Sequence, residues 1–502
     1  MSSSFILELL ILLLTVGFIL YKLFTRNFDY WEKRNVPYPK PTPFFGNYYN
    51  IMTFQTTIGH DIKKLYDEFT TPYFGIFVLN KPHLVVKDQE LIKSILVKDF
   101  NNFYDRTVLS SEECDAIFAN ALFVVRNPDW KVLRAKMTPV FTSGKMKAMF
   151  PLINDASLEM ITYLEQHSSK SSLEAKDICA KYSTDVIATC AFGIQACSFK
   201  NENSEFRVTC KRMFDFSFSS AFRQVSYFIL PDLVKLLRLS FFKPEVMDFF
   251  RDVFWKTIKL REKTKGKRND LIDIIIQMKE QPDNSIDFSG DKVVAQAFMF
   301  FAAGFETTSS TMAFTLYELC LSPEIQSRAR AEVKEILSKY KGFTYEAIKE
   351  MKYMHMLFCE TLRKYPVLPF LDRICANDYK LPDTDLVVEK GTPVYIPVSG
   401  IHYDPEFYTE PEKYDPERFS EENRGRIPNF AHLPFGGGPR NCIGERFGLL
   451  VGKLGLARIL SEYELERSLD TPVPLEYETK CLILASKVGL PMKFKKILSD
   501  AV

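Results

Sequence analysis

Near the C-terminal end of this 502-residue chain a single cysteine sits in unusual company: Phe435-Gly436-Gly437-Gly438-Pro439-Arg440-Asn441-Cys442-Ile443-Gly444. A lone cysteine is ordinarily a small buried apolar side chain. Here Gly438 and Gly444 remove side chains on either side of the sulfur, so a flat ligand and free backbone N–H groups could come close. Arg440 adds positive charge and Phe435 a broad apolar face. The set suits an anionic thiolate beneath a planar, negatively substituted cofactor. Three consecutive glycines also occur in phosphate loops, but the lysine and the G-x-x-x-x-G-K-[ST] spacing that such loops need are missing.

A second constellation breaks a local rule. Val293 to Phe305 reads VVAQAFMFFAAGF, nearly all apolar, and predicts a buried helix. Glu306-Thr307-Thr308-Ser309-Ser310-Thr311 interrupts it before apolar residues resume at Met312. Polar and β-branched residues in mid-helix oppose both burial and propensity, a conflict expected where function outweighs stability. Two weaker patterns accompany these. Glu360-Thr361-Leu362-Arg363 places opposite charges on one helical face, with Pro416-Glu417-Arg418-Phe419 further along. Trp130-Lys131-Val132-Leu133-Arg134 points an indole and a guanidinium the same way, where both could bind a carboxylate.

Together these segments resemble the cytochrome P450 family of haem-thiolate monooxygenases. Its F-x-x-G-x-R-x-C-x-G pattern is met at Phe435, Gly438, Arg440, Cys442 and Gly444, its [AG]-G-x-[DE]-T at Ala303 to Thr307, and its W-x-x-x-R at Trp130 and Arg134. The resemblance implies haem b with Cys442 as proximal iron ligand, its thiolate pushing electron density towards O–O cleavage and tuned by backbone N–H groups. It implies propionate contacts from Trp130, Arg134 and Arg440, and by position from Arg106 and Arg373. Phe435, Gly436, Gly444 and Ala303 would lie against the haem. Thr307 would hydrogen-bond the activated oxygen, and Glu306 would relay protons to it. Glu360, Arg363 and Arg418 would brace the haem-binding segment as a structural cluster, and removing one partner would cost ~3–5 kcal/mol. Analogy places substrate contacts at Phe118, Leu122, Phe301, Ala303, Val367, Leu368, Ile483 and Leu484, all apolar, which implies lipophilic small-molecule substrates.

The likeness extends to microsomal P450s of insects, in the group tied to detoxification, through YPKPTPFFGN, AGFETTSS and HYDPEFYTEPEKYDPERF. Tyr365-Pro366-Val367-Leu368-Pro369 departs from the consecutive prolines common in relatives, which bears on selectivity rather than mechanism. The chain carries no FAD, FMN or NADPH fingerprint. The resemblance therefore implies electrons from a separate NADPH–cytochrome P450 reductase, with cytochrome b5 a second candidate. Lys131, Arg134 and Lys136 offer either a basic docking face or plain solvation. Two other functions stay open: a haem-thiolate isomerase or dehydratase, against which Glu306-Thr307 argues, and a non-catalytic haem-binding sensor.

These residues need a scaffold. Amphipathic runs predict helices over 57–68, 86–97, 151–166, 172–190, 246–264, 291–320, 323–339 and 345–364, and short β-like runs lie at Tyr73–Val78, His83–Val86 and Val394–Val398. The expected fold is mainly α with small β-sheets, one large catalytic domain over 47–502. Phenylalanine is in heavy excess at 44 residues, and an aromatic zone from Met213 to Phe250 predicts either a cavity roof or a lipid-dipping loop. Phe5 to Phe24 is apolar enough to span a bilayer, with Glu8 and Lys22 near its ends, so residues 1–25 are expected as a membrane anchor. Arg26, Lys33, Arg34 and Lys40 come after it, Tyr30 and Trp31 suit an interfacial belt, and no Lys or Arg precedes it. The positive-inside rule then puts the body on the cytosolic face, here of the endoplasmic reticulum membrane. Pro37, Pro39, Pro41 and Pro43 predict a stiff extended spacer within a basic, proline-rich hinge over 26–46. A formal charge of +2, from 65 basic and 63 acidic side chains, gives no reason to expect nucleic acid. The basic run Lys256 to Arg268 is expected as a solvated face. Ten cysteines are too dilute for a disulfide scaffold, and none forms a CxxC pair.

Overall fold

The apolar run beginning at Val293 becomes the axis of the fold. It forms a 32-residue helix, Gly290–Leu321, in a computed structural model that describes residues 3–264, 266, 268, 270–280 and 289–497. The helix is buried nearly all round, so its apolar residues show no single stripe. Helices Ala175–Ile187 and Glu445–Glu462 pack along it. Local chemistry sets the boundaries that periodicity leaves open. The helix expected from 172 starts at Ala175 because Glu174 caps it, accepting from Lys176 N at 2.8 Å. The run 151–166 is the later part of a longer helix, Ser143–His167, which passes through Pro151. The run 345–364 divides at Met351: Glu332 of helix Pro323–Tyr340 accepts the N–H groups of Tyr353 and Met354 at 2.7 and 2.8 Å, which starts a new helix, Lys352–Lys364.

The small sheets stand beside this helical body. Tyr73–Val78 pairs antiparallel with Lys81–Val86, which runs parallel to Pro393–Ile396, and Leu371–Ile374 closes the order antiparallel. The last strand carries Asp372 and Arg373 into the interior.

The N-terminal helix Ser3–Thr25 presents its apolar side chains outward, long and apolar enough to cross a membrane. The segment after it is not a free spacer. Trp31 is 1% exposed, lies against Gly75, where a Cβ would collide with the indole, and donates Nε1–H to Ile76 O at 3.1 Å. Gly75 N–H donates to Pro37 O at 2.8 Å, and Phe77 N–H donates to Asn47 Oδ1 at 2.7 Å. The proline stretch is a strap laid on the sheet, because burying an indole and pairing its N–H outweighs leaving the ring in an interfacial belt.

The aromatic zone has members facing both ways. Phe214, Phe228, Phe241 and Phe242 turn into a cavity, whereas Phe218, Leu236 and Leu237 face outward. The basic run is not wholly solvated: Arg261 is buried against Asp270 at 2.8 Å, and Arg268 donates to Gly193 O at 2.8 Å. Lys265 and Lys267 of that run lie outside the described residues, as do Met1, Ser2 and residues 498–502.

Candidate active site

The Cys442 loop is a tight backbone construction. Cys442 N–H donates to Phe435 O at 2.8 Å, Asn441 N–H to Gly438 O at 3.0 Å and Gly436 N–H to Leu433 O at 3.1 Å. Gly438 has φ +69° and packs directly on the Leu96 carbonyl, where any Cβ would overlap the oxygen. Gly444 then opens the helix Glu445–Glu462, so the cysteine lies just ahead of a helix N-terminus, a setting that favours a thiolate. Burial within the protein pushes the thiol up, against the opposing pull of the Gly444 N–H and the Arg134 guanidinium. The sulfur nevertheless faces open cavity space.

That cavity, of about 370 Å³, lies between the Cys442 loop and the central helix. Arg106, Arg134, Arg373 and Arg440 converge on it with Trp130. Arg134 is fixed by two bonds to Asn441, to O and Oδ1, both 2.9 Å. Arg440 pairs with Asp105 at 3.2 Å and stacks its guanidinium on Trp130 at 4.3 Å. Arg106 pairs with Asp372 at 3.4 Å. These partners do not satisfy the cluster. Nε of Arg106, Arg373 and Arg440 and Nη1 of Arg440 are buried without any acceptor. Arg373 and Arg440 are 1% and 4% exposed, and burial among like charges pushes each down to about 9. Buried cations with spare N–H groups call for an anion. A planar ligand with two carboxylates at that edge and a metal facing a thiolate meets the whole donor set, so the residues present fit haem.

The polar interruption of the central helix has two faces. Thr307, Thr308 and Thr311 line the cavity, with Ala303 and Gly304 one turn earlier. Thr307 Oγ1 donates to Ala303 O at 2.6 Å and Thr311 Oγ1 to Thr307 O at 2.8 Å, which lets hydroxyls reside in a buried helix. Glu306, Ser309 and Ser310 turn the other way, where Glu306 pairs with Lys176 at 2.9 Å. Gly304 also permits the helix crossing, since a Cβ there would lie 2.7 Å from Ile187 Cδ1.

Behind the cysteine loop, Glu360 and Arg363 are fully buried and joined by two bonds of 2.7 and 2.8 Å. Arg418 Nε approaches Glu360 Oε1 at 3.5 Å, Asp415 N–H donates to the same oxygen at 2.9 Å, and Arg363 donates to His402 O at 2.9 Å. His402 Nε2 in turn accepts from Leu433 N–H at 2.9 Å, which ties the cluster to the start of the Cys442 loop.

This arrangement agrees with what the chain is similar to. The family model "Cytochrome P450" matches residues 36–493. The chain belongs to the cytochrome P450 family. Cytochrome P450 6j1 of Blattella germanica is 42% identical over 497 residues, covering 98% of this chain and 99% of that protein. Cytochrome P450 6k1 of the same insect is 41% identical over 509 residues, 97% of each. Probable cytochrome P450 6a13 of Drosophila melanogaster is 38% identical over 499 residues, 97% of this chain and 99% of its own length. The expected likeness to insect P450s holds, and the family makes this chain a haem-dependent monooxygenase oxidoreductase.

Within this P450, Phe118, Leu122, Val367, Leu368, Ile483, Phe435, Gly436 and Gly444 line the same cavity as Cys442. Two expected substrate contacts do not. Phe301 is fully buried among Phe192, Phe206 and Phe250, on the helix face turned away from the cavity. Leu484 faces a second cavity on the far side of the central helix, because the chain bends at Leu482 and Ile483, which both line the first cavity. Sequence reasoning missed Thr308, Thr311 and Gln296 on the cavity wall and the carboxylates Asp105 and Asp372 that steer the arginines. Asp105 had a signal, since it precedes Arg106 directly; Asp372 precedes Arg373 in the same way.

Proposed function

We propose that the protein is a membrane-anchored monooxygenase that inserts one oxygen atom of O₂ into a lipophilic small molecule, a xenobiotic or an endogenous lipophile. Its electrons come from NADPH through a separate NADPH–cytochrome P450 reductase, with cytochrome b5 as a second donor. In this reading residues 1–25 anchor the chain in the endoplasmic reticulum membrane and 47–502 form the catalytic domain. The observation that carries it is the pairing, across one apolar cavity, of the Cys442 thiol with Thr307, beside buried arginines left short of an anion.

Cys442 would hold the haem iron, Trp130, Arg106, Arg134, Arg373 and Arg440 the propionates, and Phe435, Gly436, Gly444 and Ala303 the ring faces. When bound, haem supplies the activation of dioxygen. The chain does the rest. Phe118, Leu122, Val367, Leu368 and Ile483, joined by the aromatic roof, orient an apolar substrate and exclude water. Thr307 Oγ1, its own proton given to Ala303 O, turns acceptor lone pairs to the cavity wall, and Glu306, on the opposite face of the same helical turn, takes up from solvent the proton the site needs.

Reconstitution with reductase tests this reading. The expected outcome is a carbon monoxide difference band far to the red, and NADPH-dependent oxygenation of lipophilic compounds from a binding panel. Thr307→Ala should divert reducing equivalents to peroxide. Rearrangement of a peroxidised substrate without O₂ or NADPH would make the protein an isomerase, and haem binding without any turnover would make it a sensor.

A further inference from the structure

The polar interruption of the central helix is only half used by the cavity it faces. Its other half, Glu306, Ser309 and Ser310, converges on one cation from the first turn of the helix Ala175–Ile187. Lys176 Nζ lies 2.9 Å from Glu306 Oε1, 2.6 Å from Ser309 Oγ and 3.0 Å from Ser310 Oγ. An ammonium has three N–H donors, and here each has one acceptor on the same helical turn. Ser310 Oγ also donates to Glu306 Oε1 at 3.3 Å, so the carboxylate is held from two sides. Helix propensity does not ask for two adjacent serines in a buried segment, and burial opposes them. A lysine reaching across from the neighbouring helix accounts for both.

This cluster opens on the second cavity, of about 430 Å³, which is open to solvent between the helix Ala175–Ile187 and the segment 484–490. The other ionisable groups on its wall are Glu174 and Asp177 beside Lys176, Arg207, Cys210 and Lys211 from the helix Glu205–Met213, and Lys487. From the C-terminal segment Cys481 also comes near, its thiol pushed up first by burial and in small part by the Glu306 charge. Glu174 is occupied by the N–H groups of Leu490 and Lys176, Asp177 by Arg207 at 2.8 Å and Lys181 at 3.0 Å, and Lys487 by Glu476 at 2.9 Å. Lys176 is therefore the countercharge that Glu306 meets directly.

We infer that Lys176 is a positioning residue for oxygen chemistry: it holds the Glu306 carboxylate in the solvent-facing cavity and thereby fixes where that carboxylate takes up the proton it passes on. This rests on the relay proposed for Glu306. Removing the ammonium leaves a buried carboxylate without its countercharge, so the pH dependence of proton delivery should change in the variant.

The test compares holoenzymes of the parent, Lys176→Met, Lys176→Arg, Glu306→Gln and Lys176→Met/Glu306→Gln with reductase. Two quantities are followed against pH: product formed per NADPH consumed, and the infrared band of the protonated carboxyl, assigned by its loss in Glu306→Gln. In Lys176→Met both profiles should move up from those of the parent, the direction that loss of an opposite charge at close contact dictates. Lys176→Arg should restore the parent profiles, and Lys176→Met should add nothing in the Glu306→Gln background. Lys176→Gln, which keeps polar contact with the serines without the charge, replaces Lys176→Met if the latter does not load haem. Unmoved profiles, or an equal loss with and without Glu306, overturn the inference while the relay stands. Full coupling in Glu306→Gln removes the relay, and the role of Lys176 with it.

Discussion

Gly436 and Gly438 offer a paired test of how the cysteine loop is held. Both sit at positive φ, +73° and +69°, in the stretch that carries Cys442. A Cβ on Gly436 would meet nothing nearer than Leu371 Cδ2 at 3.7 Å. Gly436→Ala therefore bears only the left-handed backbone penalty, about 1–2 kcal/mol. A Cβ on Gly438 would overlap the Leu96 carbonyl oxygen and come within 2.8 Å of the carbonyl carbon. Neither neighbour is a flexible side-chain end, so the loop itself must yield. Forcing backbone angles by ~15° costs ~4 kcal/mol on top of the same φ penalty, so Gly438→Ala should lose about 5 kcal/mol or shift the loop. Because Asn441 N–H is bonded to Gly438 O at 3.0 Å, a shift carries the cysteine with it. Haem content, the carbon monoxide difference spectrum and urea denaturation should show Gly436→Ala slightly destabilised with a normal thiolate band. Gly438→Ala should be poor in haem, or its band displaced towards neutral ligation. Equal stability and equal haem content in the two variants would refute the argument from the Leu96 contact.

Glu360→Gln should lose about 3–5 kcal/mol in denaturant titration, since it strands the fully buried Arg363. Arg418→Ala, with its longer 3.5 Å approach to Glu360, should cost clearly less, and the reverse order would contradict the geometry. His83 is buried in the sheet and its ring pushed down to about 4 by burial. Above its unfolded value of about 6.5 it costs nothing, and as pH falls from there towards 4 the unfolded chain gains a proton the native ring refuses. Stability should fall through that window by about 1.4 kcal/mol per pH unit from this group. His83→Phe should flatten the slope, and an unchanged slope would exclude His83 as its source.

The parts of the site legible in the sequence are those whose demands are local in the chain. The glycines around Cys442, the four-residue spacing of Trp130 and Arg134, and the hydroxyl run after Gly304 each announce a backbone or helical-face requirement within a few residues. What escaped depends on partners far away in sequence or on one step of rotation. Phe301 and Ala302 differ by ~100° about the helix axis, enough to put the phenyl ring in the core and the alanine against the cavity. Trp31 reads as a belt residue from its place after the apolar helix, and only the gap over Gly75 makes it a core residue. Lys176 carries no sequence mark of its attachment to Glu306, because the contact joins two helices far apart in the chain. The break at Met351 likewise depends on Glu332 reaching over from another helix.

The strap from Trp31 to Asn47 gives the docked indole a mechanical meaning. A flexible tether would let the catalytic body swivel above the bilayer, and its length would set how high the substrate entrance rides. Here the chain leaves the apolar helix and is clamped within a few residues to Tyr73–Val78, one outer strand of the sheet. In the proposed membrane-anchored state, tilt of the apolar helix would be handed to the enzyme as torque rather than absorbed as slack, and the tilt of the whole globule would follow the bilayer around its first helix.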